Sequence, residues 1–280
     1  MIAFQSSREL DPTGVCDPAT WEALVEAGRT LGDRLLYLTS PMLRGDDVAD
    51  LQLRLGALGF DAGKVDGIFG SMTELAIEGF QQQIGLVADR VVGPDTVAAL
   101  GRLQPRGGTN TVAGVRERVA LASRADAGEP LTISLVHRGD GDPLVGPLAL
   151  DLVAAGRPVH VLIDDDWSRL AEGSNANDSG VCLALTLDEE SACDLTHFEV
   201  TGFTSFGGRR LAHLIAEELP PVPSGWSAAE IRGSRSPILR ETRAPTVHLR
   251  IGPSSVALAH RSLIVAALHR ALRRWEESPD

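Results

Sequence analysis

Residues 45–60 read GDDVADLQLRLGALGF, and residues 65–73 read VDGIFGSMT. In the first stretch Val48, Leu51, Leu55 and Leu58 recur at spacings of three and four, which gives a short helix one buried face. Asp46 or Asp47 stands where a helix cap is expected. The second stretch sets Gly67 and Gly70 around Phe69 and beside Asp66, the composition of a tight turn, ahead of a helix expected over 73–83. Gly93-Pro94-Asp95-Thr96 then puts proline and aspartate at the start of a last short helix. Together these signals predict a compact three-helix domain over 45–100.

The chain also repeats itself. Residues 3–24 set against 79–100, an offset of 76, align Phe4 with Phe80, Gln5 with Gln81, Leu10 with Leu86, Val15 with Val91, Pro18 with Pro94, Thr20 with Thr96, Ala23 with Ala99 and Leu24 with Leu100. Eight identities in 22 gap-free positions mark an internal repeat. The helices ahead of residue 79 have no counterpart ahead of residue 3, and half a repeat cannot bury its own face. Residues 3–36 are therefore expected to dock on the second copy, unless the reading frame starts further upstream.

This region resembles the peptidoglycan-binding-like repeats, whose pattern runs V-x-x-L-Q-x-x-L-x-x-L-G, V-D-G-x-F-G-x-x-T, F-Q-x-x-x-G-L and G-x-x-T-x-x-x-L. Residues 45–100 match almost all of it. Asp89-Arg90 replaces the usual Asp-Gly, so that turn is expected to differ. The matching residues Leu51, Leu55, Leu58, Phe69, Phe80, Leu86 and Leu100 are core and turn residues, and they leave open whether the repeat still holds a muropeptide. The domain organisation read from the sequence is a truncated first repeat over 1–38, a second repeat over 39–104, a linker over 105–129 and a further domain over 130–280.

Composition narrows the partners. Hydrophobic residues make up 43% of the 280 and charged residues 23%, the balance of a soluble globular protein. A formal charge of −12 repels phosphate backbones and anionic lipid headgroups, so nucleic acid is not an expected partner. No apolar run approaches the roughly 18 residues of a membrane span, and residues 1–29 lack the apolar core of a signal peptide. Cys16, Cys182 and Cys193 form no C-x-x-C pair. A cytoplasmic setting is the expectation.

From residue 130 short β-branched runs alternate with helix-length segments. Strands are expected over 131–136, 159–163, 181–187, 198–203 and 246–251, with helices near 144–155, 166–177, 206–219 and 255–275. That alternation predicts an α/β domain with a largely parallel sheet. Its landmarks resemble the type-3 zinc-dependent N-acetylmuramoyl-L-alanine amidases. Ala176-Asn177 ahead of the strand over 181–187, and LRETRAPTVHLRIG over 239–252 set against L-R-x-T-x-x-P-A-V-L-V-E-x-G, carry that resemblance.

The resemblance implies a zinc held by two histidines and a glutamate, with a second glutamate as general base. Those four places map onto Gly139, Val145, Thr186 and Arg250, and all four are changed. Arg250 matters most, since a guanidinium repels a dication. Two readings follow. In one, Arg250 fills the former metal hole and pairs with Asp140, Asp142 or Asp188. In the other, His137 and those aspartates assemble a shifted metal site, with His137 the candidate ligand.

Other candidates carry less. His213 and Glu217 lie four apart on one expected helix, which is short of H-E-x-x-H and reads as a surface pair. His160 and His248 fall within strands. The acidic run 164–166 precedes a helix and reads as a cap. The paired repeats with a degenerate amidase-like domain resemble the actinobacterial CwlM-type proteins. That resemblance implies a non-catalytic cytoplasmic regulator or scaffold of cell-wall peptidoglycan synthesis, a pseudoenzyme without a cofactor. Its implied partners are peptidoglycan-synthesis proteins, including the UDP-N-acetylglucosamine enolpyruvyl transferase, and muropeptide. The alternatives are a zinc amidase cutting the N-acetylmuramic acid to L-alanine bond, and a wall-binding module.

Overall fold

A computed structural model describes residues 1–8, 10, 13–103, 117, 119, 131–200, 202–219 and 229–277. The chain divides into two compact units, residues 1–116 with 200–203, and 117–199 with 204–280. The expected linker over 105–129 lies outside the described residues apart from Glu117 and Val119.

The first unit is helical, with α1 (Ile2–Ser7), α2 (Pro18–Ala27), α3 (Asp46–Ala57), α4 (Ser71–Gln83) and α5 (Pro94–Arg102) among the described residues. Val48, Leu51, Leu55, Phe69, Ile77 and Phe80 are sealed from solvent in one core. Burying side chains of this size stabilises the unit by roughly 1.5–3 kcal/mol each. Leu36 joins that core and pairs its backbone with Val92, and Arg8 reaches Asp46 at 2.7 Å. Neither Asp46 nor Asp47 caps α3, contrary to the reading from composition. The cap position is Gly45, and Asp47 is buried and takes two bonds from Arg34, at 2.7 and 3.1 Å. Both carboxylates still lie in the first turn, where the helix dipole favours them.

A buried hydrogen-bond cluster explains why glutamine and threonine recur. Gln81 Nε2 donates to Asp89 Oδ1, Val91 O and Thr96 Oγ1, and its Oε1 accepts from Arg90 N–H at 3.0 Å. Gln5 repeats this with Thr13 Oγ1, Val15 O, Thr20 Oγ1 and Gly14 N–H. Gln52 makes a third version with Asp66 Oδ1, Ile68 O, Thr73 Oγ1 and Gly67 N–H. The central residue of each turn is left-handed: Gly14 at φ 76°, Gly67 at 76° and Arg90 at 64°. The turn expected to differ at Arg90 thus keeps the geometry of its two counterparts, and arginine adopts a conformation that glycine would hold without strain.

The second unit is an α/β domain with a mixed sheet. Its strands are β1 (Ile133–His137), β2 (Val159–Ile163), β3 (Val181–Leu187), β4 (Ala192–Val200), β5 (Phe203–Thr204), β6 (Glu230–Ser234) and β7 (Thr246–Gly252). The order is β2-β1-β3-β7-β4-β5, with β6 also pairing β4. The pairs β1–β2, β1–β3 and β3–β7 are parallel, and β4 runs antiparallel to β7. The helices are α6 (Asp142–Ala154), α7 (Trp167–Ala176), α8 (Phe206–Glu218), α9 (Pro237–Glu241), α10 (Ser254–Ala259) and α11 (Arg261–Glu277).

Alternation along the strands sends Leu135, Leu183, Leu185, Leu195, Leu249 and Ile251 to one face, where residues of α6, α8 and α11 complete the main core. Helices α7 and α9 contact the sheet and each other. Asp166 caps α7 by accepting from Ser168 N–H at 2.8 Å, as its place in the acidic run suggests.

Two local readings are corrected. The strand expected over 198–203 is the end of β4 followed by β5, and β4 begins six residues earlier, at Ala192. The helix expected over 255–275 is broken at His260 into α10 and α11. One glycine fixes the sheet's central crossing. The β3–β4 connection passes over the end of β7, so a Cβ on Gly252 would lie 2.2 Å from Glu190 O and 2.7 Å from Asp188 O. Only hydrogen fits there.

Candidate functional site

β1 is followed along the chain by β2 on one side and then by β3 on the other. Its C-terminal end is therefore the topological switch point of the sheet, where open α/β sheets place their ligands. All the expected site residues fall at or near these strand ends, but they do not form one group. Thr186 and Arg250 are register partners on β3 and β7. They alternate with core residues and so project from the face opposite the main core. Val145, by contrast, is fully buried on α6 within that core. Gly139 lies in the loop after β1 with φ 98° and donates its N–H to His137 Nδ1 at 3.0 Å.

Arg250 is held by carboxylates. Its Nε and Nη2 donate to Asp194 Oδ2 at 3.1 and 2.7 Å, and Nη1 lies 3.5 Å from Asp188 Oδ2. Asp194 also takes Arg232 at 2.9 Å. Of the three aspartates named from the sequence only Asp188 meets Arg250. The closer partner, Asp194, was not singled out. Its signal was an acid inside the apolar run ACDL, which the antiparallel register sets directly against Arg250. Asp194 is 9% exposed while both arginines are about half exposed, so two solvated cations cover one largely buried anion.

Next to this triad, His248 Nε2 sits 2.9 Å from Thr186 Oγ1, and its ring lies 4.9 Å from that of Trp167. Arg138 stands over the other ring system at 5.8 Å from the Trp167 centroid. Burial, then Arg250 and Arg138, push the His248 pKa down to about 4. The imidazole is neutral at neutral pH.

His137 and Asp140 lie at the switch point itself. His137 is fully buried, and its pKa is lowered chiefly by burial. Asp140 Oδ2 accepts from Leu187 N–H at 3.1 Å. His137 Nε2 and Asp140 Oδ1 are both buried without a hydrogen-bond partner. A carbon on Gly141 would come within 2.8 Å of His137 Cβ and 2.9 Å of Leu185 O, so the β1–α6 loop closes directly onto these residues. Asp142 is the first residue of α6.

The zinc implied by the amidase resemblance does not fit this donor set. Among the described residues no group of three or more His, Cys, Asp or Glu side chains could hold a metal ion. The two unpartnered atoms supply two donors only, and Asp188 and Asp194 are committed to arginine. Elsewhere His213 is exposed and Glu217 pairs with Arg274 at 2.9 Å. Cys182 and Cys193 are buried and Cys16 is exposed, none of them in a disulfide, with the Cys193 thiol pushed up to about 11 by burial and by Asp194. No helix among the described residues is long and apolar enough to cross a membrane.

Comparison with known proteins places both units. The family described as a peptidoglycan binding domain matches residues 44–100. The N-acetylmuramoyl-L-alanine amidase CwlM of Mycobacterium tuberculosis is 33% identical over 282 residues, covering 89% of this chain and 69% of its own length. A probable N-acetylmuramoyl-L-alanine amidase of Bacillus licheniformis is 30% identical over 115 residues, 36% of this chain and 32% of that protein. A spore cortex-lytic enzyme of Halalkalibacterium halodurans is 45% identical over 56 residues, 20% of this chain and 17% of its own. The chain thus spans about two thirds of the mycobacterial protein and less than a third of the other two. These names correct the expectation of a pseudoenzyme: substitutions at four aligned positions suggested a chain without catalysis, whereas relatives, the mycobacterial one over 89% of this chain, carry the name of an amidase and point to an enzyme. With a peptidoglycan-binding repeat, an α/β amidase-like unit and one mycobacterial relative matching most of its length, the chain belongs to the CwlM family of peptidoglycan-related proteins.

Proposed function

We propose that the protein acts on cell-wall peptidoglycan as a member of the amidase family, engaging the amide between N-acetylmuramic acid and L-alanine while the repeat holds the polymer. The observation that carries this reading is the union of a peptidoglycan-binding repeat with the α/β unit in a chain that matches a mycobacterial amidase over 89% of its length. The strand ends offer chemistry that suits a muropeptide. Arg138 and the half-exposed Arg250 bring positive charge for stem-peptide carboxylates. Hydrolysis of an amide also needs a group that exchanges a proton with water and the leaving nitrogen. His137, unpartnered at Nε2 beside Asp140, is the residue to substitute first. The test is incubation of the purified full chain with muropeptide, with and without added zinc, followed by mass spectrometry. Release of an L-alanine-terminated peptide that is lost in His137→Ala supports the reading, and no release under either condition overturns it.

A second reading is favoured by the ion pairs that Arg250 makes with Asp188 and Asp194, at the position where the sequence resemblance implies a general base. In this reading the chain regulates or scaffolds peptidoglycan synthesis in the cytoplasm by binding enzymes of that route, the UDP-N-acetylglucosamine enolpyruvyl transferase among them. Calorimetric titration with the purified transferase tests it. A Kd of ~10 µM or tighter with altered transferase turnover supports it, and no heat of binding sinks it.

A further inference from the structure

β2 is the outermost strand of the sheet, so one edge of Val159–Ile163 meets no other described strand. Natural edge strands are ordinarily blunted by charge, proline, a bulge or a covering element. The run VHVLI contains neither charge nor proline. Val161 and Ile163 are 42% and 60% exposed, on the same face as Val159, which packs against the main core. On the other face Leu162 fits against α7, its Cδ1 3.0 Å from where a Cβ on Gly173 would stand. Opposite charges flank the strand: Arg157 ahead of it, and Asp164 and Asp165 behind.

We propose that this edge binds a second copy of the chain, β2 against β2, antiparallel about a two-fold axis through Val161. The register that pairs all five residues sets Val161 against its twin and Val159 against Ile163, so the exposed aliphatic side chains meet on one face. The same register carries Arg157 to Asp165 of the second copy at both ends of the pairing, and this charge complementarity selects a second copy over other occupants. Arg157 already holds Glu276 at 2.6 Å, and its five N–H donors allow a further partner. One surface matched to itself closes as a dimer, and the two sheets become continuous.

Light scattering on the full chain from about 1 to about 100 µM tests the proposal. The expected result is a concentration-dependent rise from monomer to dimer mass. V161K sets two ammonium groups across the axis and holds the chain monomeric throughout that range, with an unchanged circular dichroism spectrum. D165R turns each end attraction into repulsion and raises the dimer Kd by about tenfold. In a Cys16→Ser background V161C forms an interchain disulfide on mild oxidation, because directly opposed Cβ atoms stand about 4.5–5.5 Å apart, close to disulfide reach. A chain that stays monomeric throughout overturns the proposal. A dimer insensitive to V161K and not cross-linked by V161C overturns it equally.

Discussion

Replacing Gln52 with leucine removes the hub of the turn around Gly67 while nearly preserving volume and helix propensity. The side chain is 2% exposed, so water does not take its place readily. Nε2 reaches Asp66 Oδ1 at 2.9 Å, Ile68 O at 3.0 Å and Thr73 Oγ1 at 3.2 Å, and Oε1 accepts from Gly67 N–H at 2.9 Å. Two amide hydrogens serve the three acceptors, so two donated bonds and one accepted bond are lost. The donated bonds contribute about 1 kcal/mol each, and the orphaned, buried Gly67 N–H costs about 1–3 kcal/mol. Leucine burial returns about 1 kcal/mol, leaving a net loss of about 3 kcal/mol. Gln5→Leu, where Thr13 replaces the carboxylate, loses neutral bonds only and falls short of this by about 1 kcal/mol. Hydrogen exchange read by mass spectrometry along a urea series, using peptides from residues 1–27 and 45–100, follows each turn apart from the α/β unit. A Gln52→Leu loss below about 0.5 kcal/mol, or an equal loss at both positions, would refute the reasoning.

His248 makes stability fall with acid. The unfolded chain takes a proton on this ring below about pH 6.5 while the folded ring resists until about 4, so the stabilisation is complete above 6.5 and is lost between 6.5 and 4, by up to about 3 kcal/mol. Urea midpoints of the α/β unit measured across that window, and flattened in His248→Asn, are the check. Arg250→Met leaves Asp194 to Arg232 alone and costs ~1 kcal/mol, whereas Arg250→Glu crowds Asp188 and Asp194 and costs ~2 kcal/mol more at low salt. About 0.5 M sodium chloride should narrow the gap between those two melting temperatures. Gly252→Ala drives a methyl into the Glu190 and Asp188 carbonyls and destabilises the α/β unit by ~3 kcal/mol, read as a drop in its thermal midpoint; an unchanged midpoint would contradict the crossing described at β7.

The repeat was legible because its signals are local. Leucines three and four apart, and glycines ahead of Ser71 and Pro94, mark helices without any knowledge of neighbours. The parallel strands were legible for the same reason, since VCLAL and TVHLRIG are buried runs bounded by turns. β4 was missed at its start because Asp194, Thr196 and His197 interrupt its apolar run, and their partners lie on β7 and β6, more than thirty residues away. β6, reading EIRGS, has no alternation to detect. The Arg250 to Asp194 pairing depends on β7 lying between β3 and β4, a register that no local pattern states. The glutamine clusters were half visible: identity at Gln5/Gln81 and Thr20/Thr96 was plain, but their joint role required the turn that lies between them in space.

Those clusters also map where the chain can change length. From glutamine to the residue that opens the turn the separation is 8 for Gln5 and Gln81 but 14 for Gln52. From that residue to the closing threonine, Thr13 to Thr20, Asp66 to Thr73 and Asp89 to Thr96, the separation is seven each time. One stretch has already absorbed six extra residues without losing a hydrogen bond, while the other has kept its count in three settings. Insertions and deletions are accordingly tolerated between Gln81 and Asp89, and a single residue added between Asp89 and Thr96 dismantles the cluster, which makes the glutamine-to-turn loop the place to graft a peptide or a reporter.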